Sequence, residues 1–327
     1  MKELPPMNDP AFRKTAESQE PSPRTGPDLS AVIAGVKFRN PVIAASGTFG
    51  YGREYAGLLD IASLGGICTK GLTLNARQGN TGLRLWETPS GLLNSIGLEN
   101  PGIRAFIKHE LPRLNALGPV VIVNLSGATV EEYAEGARLL NEVSSAIGMI
   151  ELNISCPNVK AGGMAFGLDP KTAAQVAARV RRAAALPLMV KLSPNAPDLA
   201  AVARACEDAG ADALSLVNTF KAMAIDVHKR RPVFDNTFAG LSGPCIRPIA
   251  LRMVWELRDA VKIPIVGMGG IASAEDALEF LMAGASAVQV GSATFSHPAA
   301  MTEIIEGIRS YMQKKHLAYL KDMDIRR

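Results

Sequence analysis

A chain of 327 residues in which 47 % of side chains are hydrophobic can bury one large core, and a single α/β barrel accommodates that length. Aromatic side chains make up only 5 % and the net charge is +4 without a basic block, which argues against stacking platforms and cationic tracks for nucleic acid. No apolar run reaches bilayer-spanning length, and Cys68, Cys156, Cys206 and Cys245 form no Cys-x-x-Cys pair, so neither a membrane span nor a zinc or iron–sulfur site is written here.

Residues 1–29 hold six prolines among four basic and five acidic side chains. They lack the apolar region of a secretory signal and carry too many acids for a transit peptide, so this stretch reads as a disordered tail. A reducing cytoplasm is the simplest setting for the scattered thiols. Short apolar runs then recur at 41–45, 65–69, 119–124, 149–153, 188–192, 213–217, 264–267 and 287–290. Most are unbroken rather than alternating, which suits parallel strands buried on both faces. Helical periodicity fills 171–185, 198–209, 248–261 and 274–283. Eight such units predict a (β/α)₈ TIM barrel over residues 30–315, with 316–327 as a C-terminal tail. Two long connections, 71–117 and 218–247, follow the C-terminal ends of strands and are expected to wall an active site.

Polar side chains gather where the apolar runs end: Lys70, Asn124, Asn153, Lys191 and Asn218. A single lysine there is a solvated cap; two lysines and three amides predicted at one barrel mouth suit an anionic group or the N1–O2 side of a reduced flavin. After the seventh and eighth runs come Gly267-Met268-Gly269-Gly270 and Gly291-Ser292. Tight turns alone would explain either, but both neighbouring loops carry the signal of a barrel phosphate site. The stretch Asn153-Ile154-Ser155-Cys156-Pro157-Asn158 sets a thiol between two amides that can read a ring bearing carbonyls and N–H groups. Pro157 denies that loop a continuing strand or helix. Cys68, Cys206 and Cys245 are read as structural, and the four histidines share no metal-like spacing, so no metal is expected.

From about residue 31 to 312 the chain resembles the dihydroorotate dehydrogenases. The resemblance is carried by Ala45-Ser46-Gly47-Thr48, Thr69-Lys70-Gly71, the run Asn94 to Asn100, Asn153 to Asn158, Val217-Asn218-Thr219, Gly240-Leu241-Ser242-Gly243 and the two glycine loops. It implies one FMN per chain on top of the barrel. The phosphate would be held by Gly243, Gly269, Gly270, Gly291 and Ser292, and the ring by Ser46, Lys70, Gly71, Asn124, Asn153, Lys191 and Val217. Dihydroorotate would be framed by Lys70, Asn94, Ser95, Ile96, Gly97, Leu98, Asn153, Asn158, Asn218 and Thr219.

Cys156 stands where class 1 members keep their catalytic base and class 2 members use serine. The tail also lacks the apolar face of a class 2 membrane extension. The run Asn94 to Gly102 and Gly162-Gly163-Met164-Ala165-Phe166-Gly167 resemble class 1B. The resemblance then implies oxidation of (S)-dihydroorotate to orotate in UMP biosynthesis, within a heterotetramer whose second subunit bears FAD and a 2Fe–2S cluster and passes electrons to NAD⁺. The proline-rich start departs from the family's usually short N-terminus. Rival readings are a class 1A fumarate-dependent homodimer, a reductase of related pyrimidines, and a non-catalytic FMN-binding scaffold.

Overall fold

The computed structural model describes residues 26–155 and 166–325. Eight parallel strands close into a barrel in sequence order: β1 Val42–Ala44, β2 Gly66–Cys68, β3 Val120–Leu125, β4 Met149–Asn153, β5 Leu188–Lys191, β6 Ala213–Leu216, β7 Ile265–Met268 and β8 Ala287–Val290. The expected (β/α)₈ architecture is therefore present. Nearly every strand residue is buried, because one face meets the helical jacket and the other fills the barrel.

Side chains alternate along each strand. On β4, Ile150 and Leu152 pack into the outer apolar cluster, whereas Met149 joins an inner cluster with Ile43, Ile122, Met189, Ala213, Val266 and Ala287. A hairpin, Ala31–Ile33 with Val36–Phe38, plugs the N-terminal end of the barrel by burying Ile33 and Phe38 in that inner cluster. Its two-residue turn, Ala34-Gly35, has positive φ at both positions, the twist that a tight hairpin needs.

The jacket contains α1 Ile103–His109, α2 Leu111–Leu117, α3 Val130–Asn141, α4 Pro170–Ala183, α5 Leu199–Asp208, α6 Arg247–Leu257, α7 Ala274–Met282, the short α8 Ala293–Ser296 and α9 Ala300–Lys314. Side-chain caps from Thr129, Asp169, Asp198 and Ser273 start α3, α4, α5 and α7. The first unit departs from the pattern. Two 3₁₀ turns, Arg53–Tyr55 and Ile61–Ser63, follow β1 instead of an α-helix. Gly47, Gly50, Gly52 and Gly57 all take positive φ there, which no continuous helix permits.

Both long connections rise from the C-terminal face, and they meet. Phe220–Ala222, Ala239–Ser242, Gly91–Asn94 and Leu85–Thr88 form one antiparallel sheet in that order. Asn94 donates from Nδ2 to the Gly240 carbonyl at 3.2 Å, tying the two insertions together above the barrel mouth.

Segments near both expected boundaries pack against each other among the described residues. Leu29 is buried, and the Asp28 amide donates to the Ala318 carbonyl at 2.9 Å. Beyond 316, Met323 is buried and Arg258 pairs with Asp324. Residues 28–29 thus contact the segment that contains Ala318, and Met323 and Asp324 pack on the barrel's helices. Among the described residues, no helix is long and apolar enough to cross a membrane.

Candidate functional site

A pocket opens at the C-terminal ends of the strands, beneath the cap sheet. Strand alternation explains its floor. On β4 the alternate residues run Met149, Glu151, Asn153, Lys191 ends β5 two after Met189, and Gln289 lies two after Ala287 on β8, so each inward face turns from apolar to polar as it nears the mouth.

Most of the predicted residues line this one cavity. Ser46, Lys70, Gly71, Asn94, Ile96, Gly97, Leu98, Asn153, Lys191, Val217, Asn218 and Thr219 contribute walls and floor, and Gly269, Gly270, Gly291 and Ser292 close one end. The resemblance divided these into ring, phosphate and substrate sets; what the geometry brings together is the sets' common enclosure.

Three predicted residues sit behind the wall instead. Asn124 is fully buried, its Nδ2 donating to Glu151 at 2.6 Å and its Oδ1 accepting from Asn153 Nδ2 at 3.3 Å. Ser95 is buried and does not line the cavity, and its Oγ accepts from Asn80 and Asn236. Gly243 backs Gly270: a Cβ on Gly270 would meet the Gly243 carbonyl oxygen at 2.7 Å. Cys156 and Asn158 lie outside the described residues.

Amides and hydroxyls beside the pocket form a chain. Ser155 Oγ donates to Asn153 Oδ1 at 2.9 Å and accepts from Asn218 Nδ2 at 2.7 Å. Tyr133 OH donates to the Asn153 carbonyl at 2.8 Å. Asn153 therefore ends β4 in a fixed orientation, and the segment carrying Cys156 leaves from that anchor.

Sequence reasoning missed two side chains of the floor, Glu151 and Gln289. Glu151 is fully buried, 3.7 Å from Lys191 Nζ. Burial alone would raise its pKa, but the Lys191 charge and hydrogen bonds from Gln289, Cys68 and Asn124 prevail and hold it below the usual carboxylate value. Cys68, donating to Glu151 at 3.1 Å, is driven well up by burial and by that negative charge, so it is a thiol. Burial draws Lys70 below the usual ammonium value, against the opposing pull of Glu99. Among the described residues no group of histidines, cysteines or carboxylates could hold a metal ion.

The residues fit a phosphate-bearing aromatic cofactor on two observations. Gly291 has ordinary φ, and a Cβ there would find its nearest atom, Ala45 Cβ, at 3.6 Å; the protein itself has room for a side chain that the sequence omits. Gln289 lines the pocket while its buried Oε1 has no partner, an acceptor left for a ligand N–H.

Comparison with known proteins agrees with this geometry. The family model described as dihydroorotate dehydrogenase matches residues 28–312. A protein of Petrotoga mobilis named dihydroorotate dehydrogenase B (NAD(+)), catalytic subunit, is 56 % identical over 296 residues, covering 90 % of this chain and 98 % of the relative. Proteins of the same name from Geotalea uraniireducens and Porphyromonas gingivalis are 54 % and 53 % identical over 91 % and 88 % of the chain, and 97 % and 94 % of their own lengths. With the barrel, the enclosed pocket and relatives of this similarity along nearly its whole domain, the chain belongs to the dihydroorotate dehydrogenase family, in its class 1B.

Proposed function

We propose that this chain oxidises (S)-dihydroorotate to orotate in cytoplasmic pyrimidine (UMP) biosynthesis, with FMN in the pocket. The observation that carries the reading is the enclosure, in one cavity under the cap sheet, of two lysines, three asparagines and the glycine loops of β7 and β8. FMN, when bound, supplies a hydride acceptor. Gly269, Gly270, Gly291 and Ser292 would hold its phosphate, and Lys191 would give a positive charge to its ring.

The chain's own residues then act on the substrate. Lys70 supplies a cation for the carboxylate, while Asn94, Asn153, Asn158, Asn218 and Thr219 match the carbonyl and N–H edges of the dihydropyrimidine. Cys156, as thiolate, takes the proton from C5 beside a carbonyl. The cap sheet excludes water from that step.

Electrons would leave through a second subunit bearing FAD and a 2Fe–2S cluster, to NAD⁺, in a heterotetramer of two plus two. The relatives' names support this, since each is a catalytic subunit of an NAD(+) enzyme. The cysteine spacing fits it too, because the four thiols form no Cys-x-x-Cys pair.

Adding dihydroorotate to the purified chain without oxygen, then fumarate, tests the reading. Flavin bleaching that fumarate does not reverse is the expected result. Rapid recovery would transfer the chain to the fumarate-using class, and no bleaching of bound FMN would remove dihydroorotate as substrate. Orotate binding tighter than uracil separates this reading from a reductase of simpler pyrimidines.

A further inference from the structure

Beneath the pocket lies a buried charge that the proposed reaction leaves unused. Glu151 Oε1 accepts from Cys68 Sγ at 3.1 Å and Asn124 Nδ2 at 2.6 Å; Oε2 accepts from Ser215 Oγ at 2.9 Å and Gln289 Nε2 at 2.6 Å. Four donors on two oxygens leave no place for a proton, so the group is a carboxylate. Barrel interiors are ordinarily filled by branched apolar side chains, and a buried ion pair is often no more stabilising than an apolar replacement. Stability is therefore a poor reason for this charge.

Orientation is a better one. Of the carboxylate's partners, Lys191 and Gln289 also line the pocket. Gln289 has to turn its amide nitrogen toward Glu151, which leaves Oε1 unpartnered on a side chain only 1 % exposed. A buried amide oxygen without a partner is costly unless a ligand donor meets it.

We propose that Glu151 is the positioning residue of the cofactor floor: it anchors the Lys191 ammonium and turns Gln289 so that Oε1 accepts from an N–H of the flavin ring. The inference rests on the flavin reading above. It adds a recognition residue, Gln289, and assigns its orientation to a carboxylate that touches neither cofactor nor substrate.

FMN dissociation constants, read by fluorescence quenching with the urea midpoint measured alongside, test it through a double-mutant cycle of Glu151→Gln and Gln289→Leu. Each single variant should weaken FMN about tenfold or more. Once Glu151 is gone the amide is no longer oriented, so Gln289→Leu should then cost less than about twofold. Losses that simply multiply, or wild-type FMN affinity in folded Glu151→Gln, would overturn the proposal. Should Glu151→Gln fail to fold, Glu151→Gln with Lys191→Met removes the stranded cation as well. That double variant is expected to fold and bind FMN weakly; one that stays unfolded would make the carboxylate a core-packing group and end the proposal. A wild-type chain that binds no FMN would instead dismiss the flavin reading, and this inference with it.

Discussion

Lys191 Nζ stands 3.7 Å from Glu151 Oε1, with the two side chains 7 % and 0 % exposed. The pair is diagonal between β4 and β5, where Lys191 is in register with Asn153 and Glu151 with Met189. Burial opposes the Glu151 charge, yet the Lys191 charge and the hydrogen bonds outweigh it and depress the pKa from its ordinary 4.5. A depressed carboxylate contributes stability that is present above the unfolded value and lost as pH falls through the folded one. The urea midpoint should therefore drop as pH is lowered below about 4.5, and less steeply in Glu151→Gln. At neutral pH Glu151→Ala should cost about 3–5 kcal/mol, because it strands Lys191 and four donors. Parallel pH curves for wild type and Glu151→Gln would sink the linkage.

The two glycine loops should respond differently to one methyl group. Gly270 has φ +74°, and a Cβ there would press on backbone atoms, the Gly243 oxygen at 2.7 Å and the Arg247 nitrogen at 2.9 Å. Gly270→Ala should lower stability by roughly 1–3 kcal/mol and reduce FMN content. Gly291→Ala meets nothing closer than 3.6 Å, so its melting temperature should stay near wild type while FMN is lost. Melting curves with the flavin-to-protein absorbance ratio check both. An FMN-replete Gly291→Ala would mean that the cofactor does not approach this backbone.

The barrel was legible because its strands announce themselves locally, as short runs rich in Val, Ile, Leu and Met, five of which lead into Asn or Lys. Glu151 was not, although the signal was there. Within Met149-Ile150-Glu151-Leu152-Asn153 the three alternate residues share one face, so an inward Asn153 implies an inward carboxylate. Asn124 and Ser95 carry the right chemistry, yet their side chains are engaged by protein partners behind the wall. The cap sheet was beyond reach, since Asn94 and Gly240 are 146 positions apart and nothing local pairs them. The same holds for Asp28 and Tyr319, whose bridge joins two segments that nothing local pairs.

Thiol labelling should sort the described cysteines by environment. Cys245 is exposed, whereas Cys68 and Cys206 are fully buried. Burial pushes Cys206 up to about 12, and Cys68 is raised further from reactivity by the adjacent Glu151 charge. Iodoacetamide at pH 8 should modify Cys245 in the native protein and reach Cys68 and Cys206 only after denaturation, as read by peptide mass spectrometry. Labelling of Cys68 in the folded chain would contradict its donation to Glu151.

Ser155 fixes where the thiol-bearing segment begins. Its Oγ donates to Asn153 Oδ1 and accepts from Asn218 Nδ2, the side chains of two residues that line the pocket. If Cys156 is the base, Cys156→Ala should retain FMN and orotate while anaerobic flavin reduction slows by roughly 10²–10⁴. The wild-type rate should climb with pH and level off as the thiol ionises, near about 8.5 for an unperturbed group. Cys156→Ser should be slow and still climbing at that pH, since a hydroxyl is a far weaker acid than a thiol. Stopped-flow absorbance across pH 6–10 separates the cases. Reduction at the wild-type rate in Cys156→Ala would move the proton to another group, and Lys70, whose ammonium burial already disfavours, would be the side chain to replace next.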